Sequence, residues 1–352
     1  MKGLILCGGK GSRLKPLTDY LPKQLIPIAN KPLIFNTIDL LLESGIREIG
    51  IVVNKENEGI FKECLKDRFE LDLHFIIQES SKGIANAVLH AEEFIEDEKF
   101  IMILGDNSFQ LGFKDFIDNF LNSNSNCRML LKQIENPENF GVAYIVNGKI
   151  VKLEEKPKVA YSNVAITGLY GFDKTIFNAC RKISVSSRGE YEITDAINWM
   201  LYNGYKVSHE ILSGYWRDVG SHKELMEENI NRLGSLEEKI TGHIENSSIS
   251  GKVILEKNAV IYNSIVRGPI IIGENSVIKY SFVGPYTSIG KGVNIEKANI
   301  ECSIVLDDCH IKDIDTSIDF SIIGEGSMIV KERGLKRSNR FLIGKNNIIY
   351  MP

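Results

Sequence analysis

Short apolar runs alternate with amphipathic segments along the first hundred residues of the chain. The apolar runs predict strands at Gly3–Cys7, Glu48–Val53, Leu73–Ile77 and Phe100–Leu104. Between them, residues at helical spacing predict helices at Lys31–Ser44, Glu56–Asp67 and Ile84–Ile95. This alternation is typical of parallel strands joined by right-handed crossovers, so we predict an α/β fold with a Rossmann-like, mostly parallel sheet. Ligands of such sheets bind at the carboxyl ends of the strands.

The pattern changes between residues 127 and 232. Strands are predicted at Met129–Ile134, Val142–Val146, Ile150–Glu154, Val164–Phe172 and Lys206–Glu210, and helices at Asp173–Arg181, Ile193–Tyr202 and Ser221–Arg232. Asn147-Gly148 favours a two-residue hairpin turn. We therefore expect an antiparallel extension of the parallel sheet.

After about residue 240 the chain becomes repetitive. One aliphatic residue recurs every six positions, at Ile265, Ile271, Val277, Val283, Ile289 and Ile295. A hexapeptide period with one inward aliphatic per repeat predicts a β-helix. The repeat loosens after Glu301, which occupies a place where an aliphatic is expected, and the basic segment Lys331–Arg340 is expected to leave the coil.

These patterns divide the chain into three parts. We predict an α/β domain at residues 1–235, a β-helix domain at 241–330 and a C-terminal tail at 331–352.

Composition excludes several classes of protein. A net charge of −4 over 352 residues gives no general basic field for nucleic acid. The six cysteines form no Cys-x-x-Cys pair, which argues against a zinc site or a disulfide framework and favours a reducing compartment. No apolar run approaches the ~18 residues that a membrane span needs. We therefore expect a cytoplasmic protein with no nucleic-acid or membrane partner.

The first strand ends in a glycine-rich loop, Gly8-Gly9-Lys10-Gly11-Ser12-Arg13. Such loops bring backbone N–H groups close to a phosphate. Leu14 stands where a dinucleotide-binding fingerprint needs its third glycine, and no Gly-Lys-Ser/Thr closes a Walker A loop. Lys23 adds a second fixed cation to Arg13. Two cations beside the loop favour a triphosphate-binding site over the alternative that the loop is only a turn between a strand and a helix.

Together with this loop, five further motifs carry a resemblance that covers roughly residues 1–230. They are Pro22-Lys23-Gln24-Leu25, Leu104-Gly105-Asp106-Asn107, Glu154-Glu155-Lys156-Pro157, Arg188-Gly189-Glu190-Tyr191-Glu192 and Trp216-Arg217-Asp218-Val219-Gly220. The chain resembles the sugar-1-phosphate nucleotidylyltransferases, most closely the long form of the glucose-1-phosphate thymidylyltransferases. The resemblance implies dTTP and glucose 1-phosphate as substrates, Mg²⁺ as cofactor, a homo-oligomer and a left-handed β-helix.

The resemblance also implies roles for individual residues. Around the phosphates it places the loop glycines Gly8, Gly9 and Gly11 and the catalytic cations Arg13, Lys23, Lys156 and Arg188. Gln24, Gln78 and Gly83 would lie by the base, and Gly141, Glu155, Thr167, Gly168 and Tyr170 by the sugar. Asp106 and Asp218 would hold the metal, with Asp106 also near substrate. Many relatives have tyrosine where this chain has Phe140.

The residues leave other interpretations open. Asp106 and Asp218 could be ordinary turn residues, and Glu155-Lys156 an exposed charged strand end. His310 could serve as a general base for acyl transfer, although a loop histidine on a structural coil is the simpler interpretation. The remaining alternatives are a UTP-dependent enzyme, a bifunctional uridylyltransferase and acetyltransferase, and a regulatory or scaffold protein without turnover.

Overall fold

The computed structural model describes residues 1–331 except 67, 70 and 111. Apart from Lys331, the predicted tail at 331–352 lies outside the described residues. Among the residues described, no helix is long and apolar enough to cross a membrane.

The N-terminal part consists of helices packed on a central sheet. The helices are α1 Leu33–Glu43, α2 Glu58–Leu65, α3 Ile84–His90, α4 Glu92–Ile95, α5 Lys114–Leu121, α6 Thr175–Lys182, α7 Ile193–Tyr202 and α8 His222–Ser235. The predicted helix Ile84–Ile95 is wrong as a single element, because it breaks at Ala91 into α3 and α4. The sequence pattern also missed α5, which buries Phe116, Ile117 and Phe120.

The strands of this part confirm a mostly parallel sheet with an antiparallel extension. They are β1 Lys2–Leu6, β2 Pro27–Ile28, β3 Lys31–Pro32, β4 Glu48–Asn54, β5 Asp72–Gln78, β6 Phe100–Leu104, β7 Asn107–Phe109, β8 Cys127–Gln133, β9 Gly141–Val146, β10 Lys149–Glu155, β11 Val164–Phe172, β12 Val207–Ile211 and β13 Trp216–Asp218. The main order is β10-β9-β11-β6-β1-β4-β5, and β8 pairs with β11 and β12. Strand β1 runs parallel to β4 and β6, whereas β11 runs antiparallel to β6.

Both faces of the sheet are covered, which explains the unbroken apolar runs of its central strands. Leu4 packs in one core cluster and Ile5 in the other, and both are fully buried. The loops that follow β1 and β6 therefore emerge together at the carboxyl edge of the sheet, because these two strands are parallel neighbours.

A separate two-stranded ribbon lies at this edge. Strand β7 follows Asp106 directly and pairs antiparallel with β13, so that Asp218 lies opposite Asn107. The backbone N–H of Val219 donates to the carbonyl of Asp106 at 2.9 Å. The ribbon thus joins two segments about 110 positions apart in the sequence.

The remaining strands stack in three parallel sheets that form a β-helix. One side holds β14 Lys239–Ile240, β17 Val253–Leu255, β20 Ile270–Ile272, β23 Thr287–Ile289, β26 Ile304–Val305 and β29 Ile322–Ile323. The second holds β15 His243–Glu245, β18 Val260–Tyr262, β21 Val277–Lys279, β24 Asn294–Glu296, β27 His310–Lys312 and β30 Met328–Val330. The third holds β16 Ser248–Ser250, β19 Ile265–Arg267, β22 Phe282–Val283, β25 Asn299–Glu301 and β28 Ser317–Asp319. This three-sided stack fits the predicted left-handed β-helix.

The predicted ladder of inward aliphatic residues is half wrong. Val283, Ile289 and Ile295 are fully buried in the coil, but Ile265 is 46% exposed and its neighbour Val266 points inward. The cause is the coil length, because Ile261 stacks on Ile278 and Val266 on Val283, each seventeen positions on. Steps of six, six and five residues therefore separate the inward positions. Ile265, Ile271 and Val277 each lie one position before an inward residue.

The predicted loosening of the repeat is partly confirmed, because the coil length changes from seventeen residues to sixteen between Ile289 and Val305 and to eighteen between Val305 and Ile323. The place assigned to Glu301 was wrong. Ile300 is the inward residue there, and Glu301 lies beside it on β25. Regular strand pairs continue to Val330, with later coils lengthened to eighteen residues, as between Val305 and Ile323.

The β-helix packs against α8 and the loop before α1. Leu233 of α8 and Ala29 of the loop form a cluster with Ile271, and Met226 packs with Ile304 and Leu306. This explains why Ile271 is buried although it points out of the coil.

Candidate active site

The glycine-rich loop after β1 presents free backbone donors. Among the described residues, no N–H from Gly8 to Arg13 donates a hydrogen bond, whereas Leu14 already closes a helical turn onto Gly11. Gly11 has φ 60°, a left-handed conformation that glycine adopts at low cost. A row of unpaired N–H groups on a loop at a sheet edge can bind phosphate oxygens.

Gly8 also permits a close approach to Gln78. A Cβ atom at Gly8 would collide with Gln78 Oε1, so the amide lies directly against the loop. Gln78 ends β5 and is 3% exposed, and its Nε2 donates to Asn86 Oδ1 at 3.0 Å. The predicted base-binding Gln78 is therefore next to the predicted phosphate loop.

Lys23 and Asp106 form an ion pair at the floor of this edge. The Nζ of Lys23 donates to Asp106 Oδ2, and the lysine side chain is only 9% exposed. Burial alone would lower the pKa of Lys23, but Asp106 and then Asp218 outweigh it and raise that pKa above its ordinary value. Lys23 therefore remains charged.

Asp218 completes a pair of carboxylates with Asp106. Burial first, and then the nearby Asp106, raise the pKa of Asp218 to about 7, against the opposing effects of Lys23 and Arg13. Two carboxylates this close repel each other unless a cation lies between them.

These residues fit a magnesium ion. Mg²⁺ prefers hard oxygen ligands and uses one or two carboxylates together with water and substrate phosphates. In the described part of the chain no group of three or more metal-binding side chains occurs, so the pair Asp106 and Asp218 would leave positions open for substrate oxygens.

Next to the carboxylates lies a cavity of about 200 Å³. Its lining contains nine of the predicted site residues, contributed by β9, β10, β11 and β13, by the residues just after β6 and β10, and by the glycine loop: Arg13, Asp106, Gly141, Glu155, Lys156, Thr167, Gly168, Tyr170 and Asp218. Gly168 has φ 81° and sits at an irregular point of the β11 pairing, where a Cβ would lie 2.8 Å from Leu104. The bend therefore needs glycine.

Two predicted sugar residues are buried, and one of them already has a hydrogen-bond partner. Thr167 is fully buried and its hydroxyl donates to the carbonyl of Leu130 at 2.8 Å. Tyr170 is 3% exposed, and burial and then Glu155 raise the pKa of its phenol well above the ordinary value. It therefore stays neutral and can act as a hydrogen-bond donor.

Arg188 lies at the rim rather than in the lining. Its guanidinium is 3.2 Å from Glu155, 3.7 Å from Glu190 and 3.6 Å from Glu192. Burial and the neighbouring Glu192 raise the pKa of Glu155, while Lys156 and Arg188 oppose that shift. Arg188 is thus held by carboxylates beside the cavity.

Gln24 and Gly83 have clear structural surroundings. Gln24 is 2% exposed, and its Oε1 is buried without a hydrogen-bond partner among the described residues. Gly83 has φ 103°, and a Cβ there would lie 2.5 Å from the backbone oxygen of Tyr191. Gly83 therefore permits the loop before α3 to pack against the segment that follows Arg188.

Sequence reasoning missed three residues of the site. Asn107 and Trp216 connect Asp106 to the cavity wall through hydrogen bonds. Gly220 leaves room for the guanidinium of Arg13, because a Cβ at Gly220 would lie 2.6 Å from Arg13 Nη2. All three lie within quoted motifs, but their contacts depend on the β7–β13 ribbon and the loop after it.

A second, larger cavity of about 690 Å³ lies between residues 13–26 and the β-helix. Arg13 lines both cavities. The carboxylate pair, Glu155 and Lys156 line only the smaller one, so we place the candidate chemistry there. His310 lies elsewhere, exposed on β27 between Asn294 and Met328 of the adjacent coils.

Comparison with known proteins agrees with this geometry. Residues 2–233 match the family described as nucleotidyl transferase. A low-salt glycan biosynthesis nucleotidyltransferase, Agl11 of Haloferax volcanii, is 37% identical over 99% of both chains. A glucose-1-phosphate thymidylyltransferase of Streptomyces antibioticus is 35% identical over 99% of this chain and 98% of its own. The bifunctional protein GlmU of Methanocaldococcus jannaschii is 39% identical over 92% of this chain and 78% of its own.

Both the matched residues and the full-length relatives confirm the resemblance seen in the sequence. The chain belongs to the nucleotidyl transferase family and is a nucleotidyltransferase of sugar 1-phosphates.

Proposed function

We propose that the protein transfers a thymidylyl group from dTTP to glucose 1-phosphate, giving dTDP-glucose and pyrophosphate. The observation that carries the proposal is the juxtaposition of the Asp106–Asp218 carboxylate pair, Lys23 and the free N–H groups of the glycine loop beside one small cavity. The choice of base and sugar is supported by the full-length similarity to a glucose-1-phosphate thymidylyltransferase.

The reaction joins two anions, so the site must first neutralise them. The loop N–H groups from Gly8 to Arg13 would bind the triphosphate, and the guanidinium of Arg13, which lines the cavity, would contact the departing β- and γ-phosphates. Lys156, exposed just after β10, would bind the phosphate of the sugar, with Arg188 as a second cation at the rim.

A non-bridging oxygen of the sugar phosphate attacks the α-phosphorus in line. The new bond joins that oxygen to the α-phosphorus, and the bond from the α-phosphorus to the β-phosphate bridging oxygen breaks, so that pyrophosphate leaves. Lys23, charged and buried beside Asp106, would donate hydrogen bonds to the α-phosphate as charge develops. Positioning and charge neutralisation supply most of the catalysis in such transfers.

Asp106 and Asp218 would hold Mg²⁺, and the metal would supply charge neutralisation at the phosphate oxygens. Glu155 and the Tyr170 phenol, both in the cavity lining, would bind sugar hydroxyls.

For the base, Gln78 would offer a donor and an acceptor to a pyrimidine edge. Its position against Gly8 supports this role, because the base would then continue from the phosphate loop toward β5. Gln24 has a buried free acceptor and would contribute to the nucleoside side of the site.

A substrate panel tests the proposal. Purified protein is offered each of dTTP, UTP, ATP, CTP and GTP against glucose, galactose and N-acetylglucosamine 1-phosphates, and pyrophosphate release is followed. The highest kcat/KM is expected for dTTP with glucose 1-phosphate. A clear preference for UTP, or for the amino sugar, would overturn the proposed substrates while leaving nucleotidyl transfer intact.

The similarity to a protein named as bifunctional, GlmU, favours a second candidate, which is the bifunctional uridylyl- and acetyltransferase left open by the sequence. We expect no acetyl transfer, and acetyl transfer from acetyl-CoA to glucosamine 1-phosphate that is lost in His310→Ala would support the alternative. The predicted cytoplasmic location and homo-oligomer remain predictions.

A further inference from the structure

Trp216 and Asn107 form a buried link between the cavity wall and Asp106. The indole Nε1 of Trp216 donates to Asn107 Oδ1 at 2.6 Å, and Asn107 Nδ2 donates to Asp106 Oδ1 at 3.1 Å. Asn107 is 2% exposed and Trp216 9%. The other carboxylate oxygen of Asp106 accepts from Lys23, so both oxygens have defined partners.

The chemistry of the indole fixes the direction of this link. An indole N–H can only donate, whereas an asparagine amide offers an oxygen at one end and N–H donors at the other. The oxygen of Asn107 must therefore face Trp216, which turns its NH₂ group toward the Asp106 carboxylate. Without the indole N–H the amide could rotate and place its oxygen against the carboxylate, and the two oxygens would repel each other.

The ribbon places these residues on one face. Trp216 and Asp218 are two positions apart on β13, and Asn107 is the cross-strand partner of Asp218. The same face lines the cavity, where the Trp216 ring packs edge-on against Phe140 at 5.3 Å. Asn107 therefore follows Asp106 in the chain, lies opposite Asp218 across the ribbon and is held from the cavity side by Trp216.

The opposite face of the ribbon is fixed to α8. Ser108 donates to Glu228, which also accepts from Arg232 at 2.8 Å, and Arg217 pairs with Glu227. Glu228 is 1% exposed, so this is a buried anchor. Because the ribbon is anchored behind, the Trp216–Asn107 link has a fixed base from which to orient Asp106.

We propose that Asn107 and Trp216 are positioning residues that set the orientation of the Asp106 carboxylate for metal binding. The inference rests on the proposed role of Asp106 as a metal ligand. Outer partners of metal ligands commonly contribute about 10- to 100-fold to metal affinity. Trp216 acts through its N–H, and its ring serves separately as cavity wall.

Trp216→Phe isolates the N–H, because it retains an aromatic ring in the cavity. Mn²⁺ binding is measured by electron paramagnetic resonance in the presence of a non-hydrolysable α,β-methylene analogue of dTTP. We expect Mn²⁺ to bind about tenfold more weakly than to the wild type. The KM for glucose 1-phosphate should change little while kcat falls, since the ring remains.

Four further variants make the result decisive. Trp199→Phe removes the other tryptophan, which packs against Tyr205 away from the cavity, and should bind Mn²⁺ like the wild type. Asn107→Leu should weaken Mn²⁺ binding, and adding Trp216→Phe to it should weaken binding no further, because both act through one carboxylate. Asp106→Asn should weaken binding most.

Thermal melting identifies any variant that does not fold, and Asn107→Ser is a milder replacement for Asn107→Leu. Wild-type Mn²⁺ affinity in folded Trp216→Phe, with weakened binding in Asp106→Asn, would overturn the positioning role and leave the metal assignment standing. Wild-type affinity in Asp106→Asn as well would instead overturn the metal assignment on which the inference rests.

Discussion

At the scale of single residues, the site is a concentration of buried charge that the chain balances internally. Lys23 neutralises part of the Asp106–Asp218 pair, and Asp218 nevertheless has its pKa raised to about 7. A pair of carboxylates in this state is suited to a divalent cation. The arrangement is costly as a purely structural feature, which supports a functional interpretation.

The first prediction concerns the carboxylate pair. Asp106→Asn removes a metal ligand and the partner of Lys23. The activation barrier should therefore rise by several kcal/mol, which lowers kcat about 10³-fold. Removal of divalent cations with EDTA should abolish turnover in the wild type, and added Mg²⁺ should restore it. Undiminished kcat of Asp106→Asn at saturating substrate would contradict the metal assignment.

The second prediction concerns the position of the Arg13 guanidinium against Gly220. A methyl group at Gly220 would lie 2.6 Å from Arg13 Nη2, and that guanidinium is the mobile end of a long side chain. Gly220→Ala should therefore fold normally but displace Arg13, lowering kcat/KM for the nucleotide about 10- to 100-fold.

Gly234→Ala is the matched control, because Gly234 lies in α8 with open space around its Cα. It should keep full activity and gain slight stability from the better helix former. Equal kcat/KM values for Gly220→Ala and the wild type would show that Arg13 does not need its present position.

Residues within local motifs were predictable from sequence, whereas their supports were not. Gly8, Arg13 and Asp106 lie in loops after strands whose apolar runs are visible in the chain, and Lys23 lies in the Pro22-Lys23-Gln24-Leu25 motif. The links of Asn107 to Trp216 and of Gly220 to Arg13 depend on contacts between segments more than a hundred positions apart. Local periodicity contains no information about such pairings.

At the scale of elements, the β-helix shows how a small error in period reverses which residues point inward. A spacing of six predicts Ile265 and Val283 as equivalent, but a coil of seventeen residues exposes the first and buries the second. The residue equivalent to Val283 is Val266, one position after Ile265, and in a strand a shift of one residue moves a side chain to the opposite face. Several aliphatic residues in succession, as at Ile270–Ile272, hide this shift in the sequence.

The third prediction uses this pair as test and control. Val283→Asp would bury an unpaired carboxylate in the coil and should destabilise the β-helix by more than about 4 kcal/mol. Ile265→Asp places the same charge at an exposed position and should cost less than about 1 kcal/mol. Urea denaturation followed by circular dichroism measures both, and equal losses would contradict the register described here.

The elements of the N-terminal part were easier to predict where they were long and regular. Strands β4, β6 and β11 were found because each is a long apolar run. Strands β7 and β13 have three residues each, too few for a clear periodic signal. Helix α5 was missed although its buried residues Phe116, Ile117 and Phe120 recur at helical spacing.

At the scale of the whole molecule, the β-helix and the N-terminal part are joined by polar as well as apolar contacts. Asn229 is fully buried on α8, where its Oδ1 accepts from the N–H of Ala29 at 2.9 Å and its Nδ2 donates to the carbonyl of Tyr286 at 3.2 Å. Asn30 donates to the carbonyl of Ile289 at 2.6 Å. Helix α8 thus links the loop before α1 to the coil.

The fourth prediction tests this link. Asn229→Ala leaves two backbone groups unpaired in a buried contact and should lower the free energy of unfolding by about 2–3 kcal/mol. Asn231→Ala, on the same helix at an exposed contact with Gln110, should cost less than about 0.5 kcal/mol. Calorimetry that finds the two variants equally stable would show that the Asn229 contacts do not hold the parts together.

The account depends above all on the claim that a sugar-phosphate oxygen displaces pyrophosphate from the α-phosphorus of a nucleotide. Glucose 1-phosphate labelled with ¹⁸O in its non-bridging oxygens and unlabelled dTTP are incubated with the protein and Mg²⁺, and the products are observed by ³¹P nuclear magnetic resonance. The account predicts dTDP-glucose in which both phosphorus signals carry an isotope shift, because the labelled oxygen bridges them, together with unlabelled pyrophosphate. An ¹⁸O label in the released pyrophosphate, or the absence of any nucleotide sugar, would contradict the account.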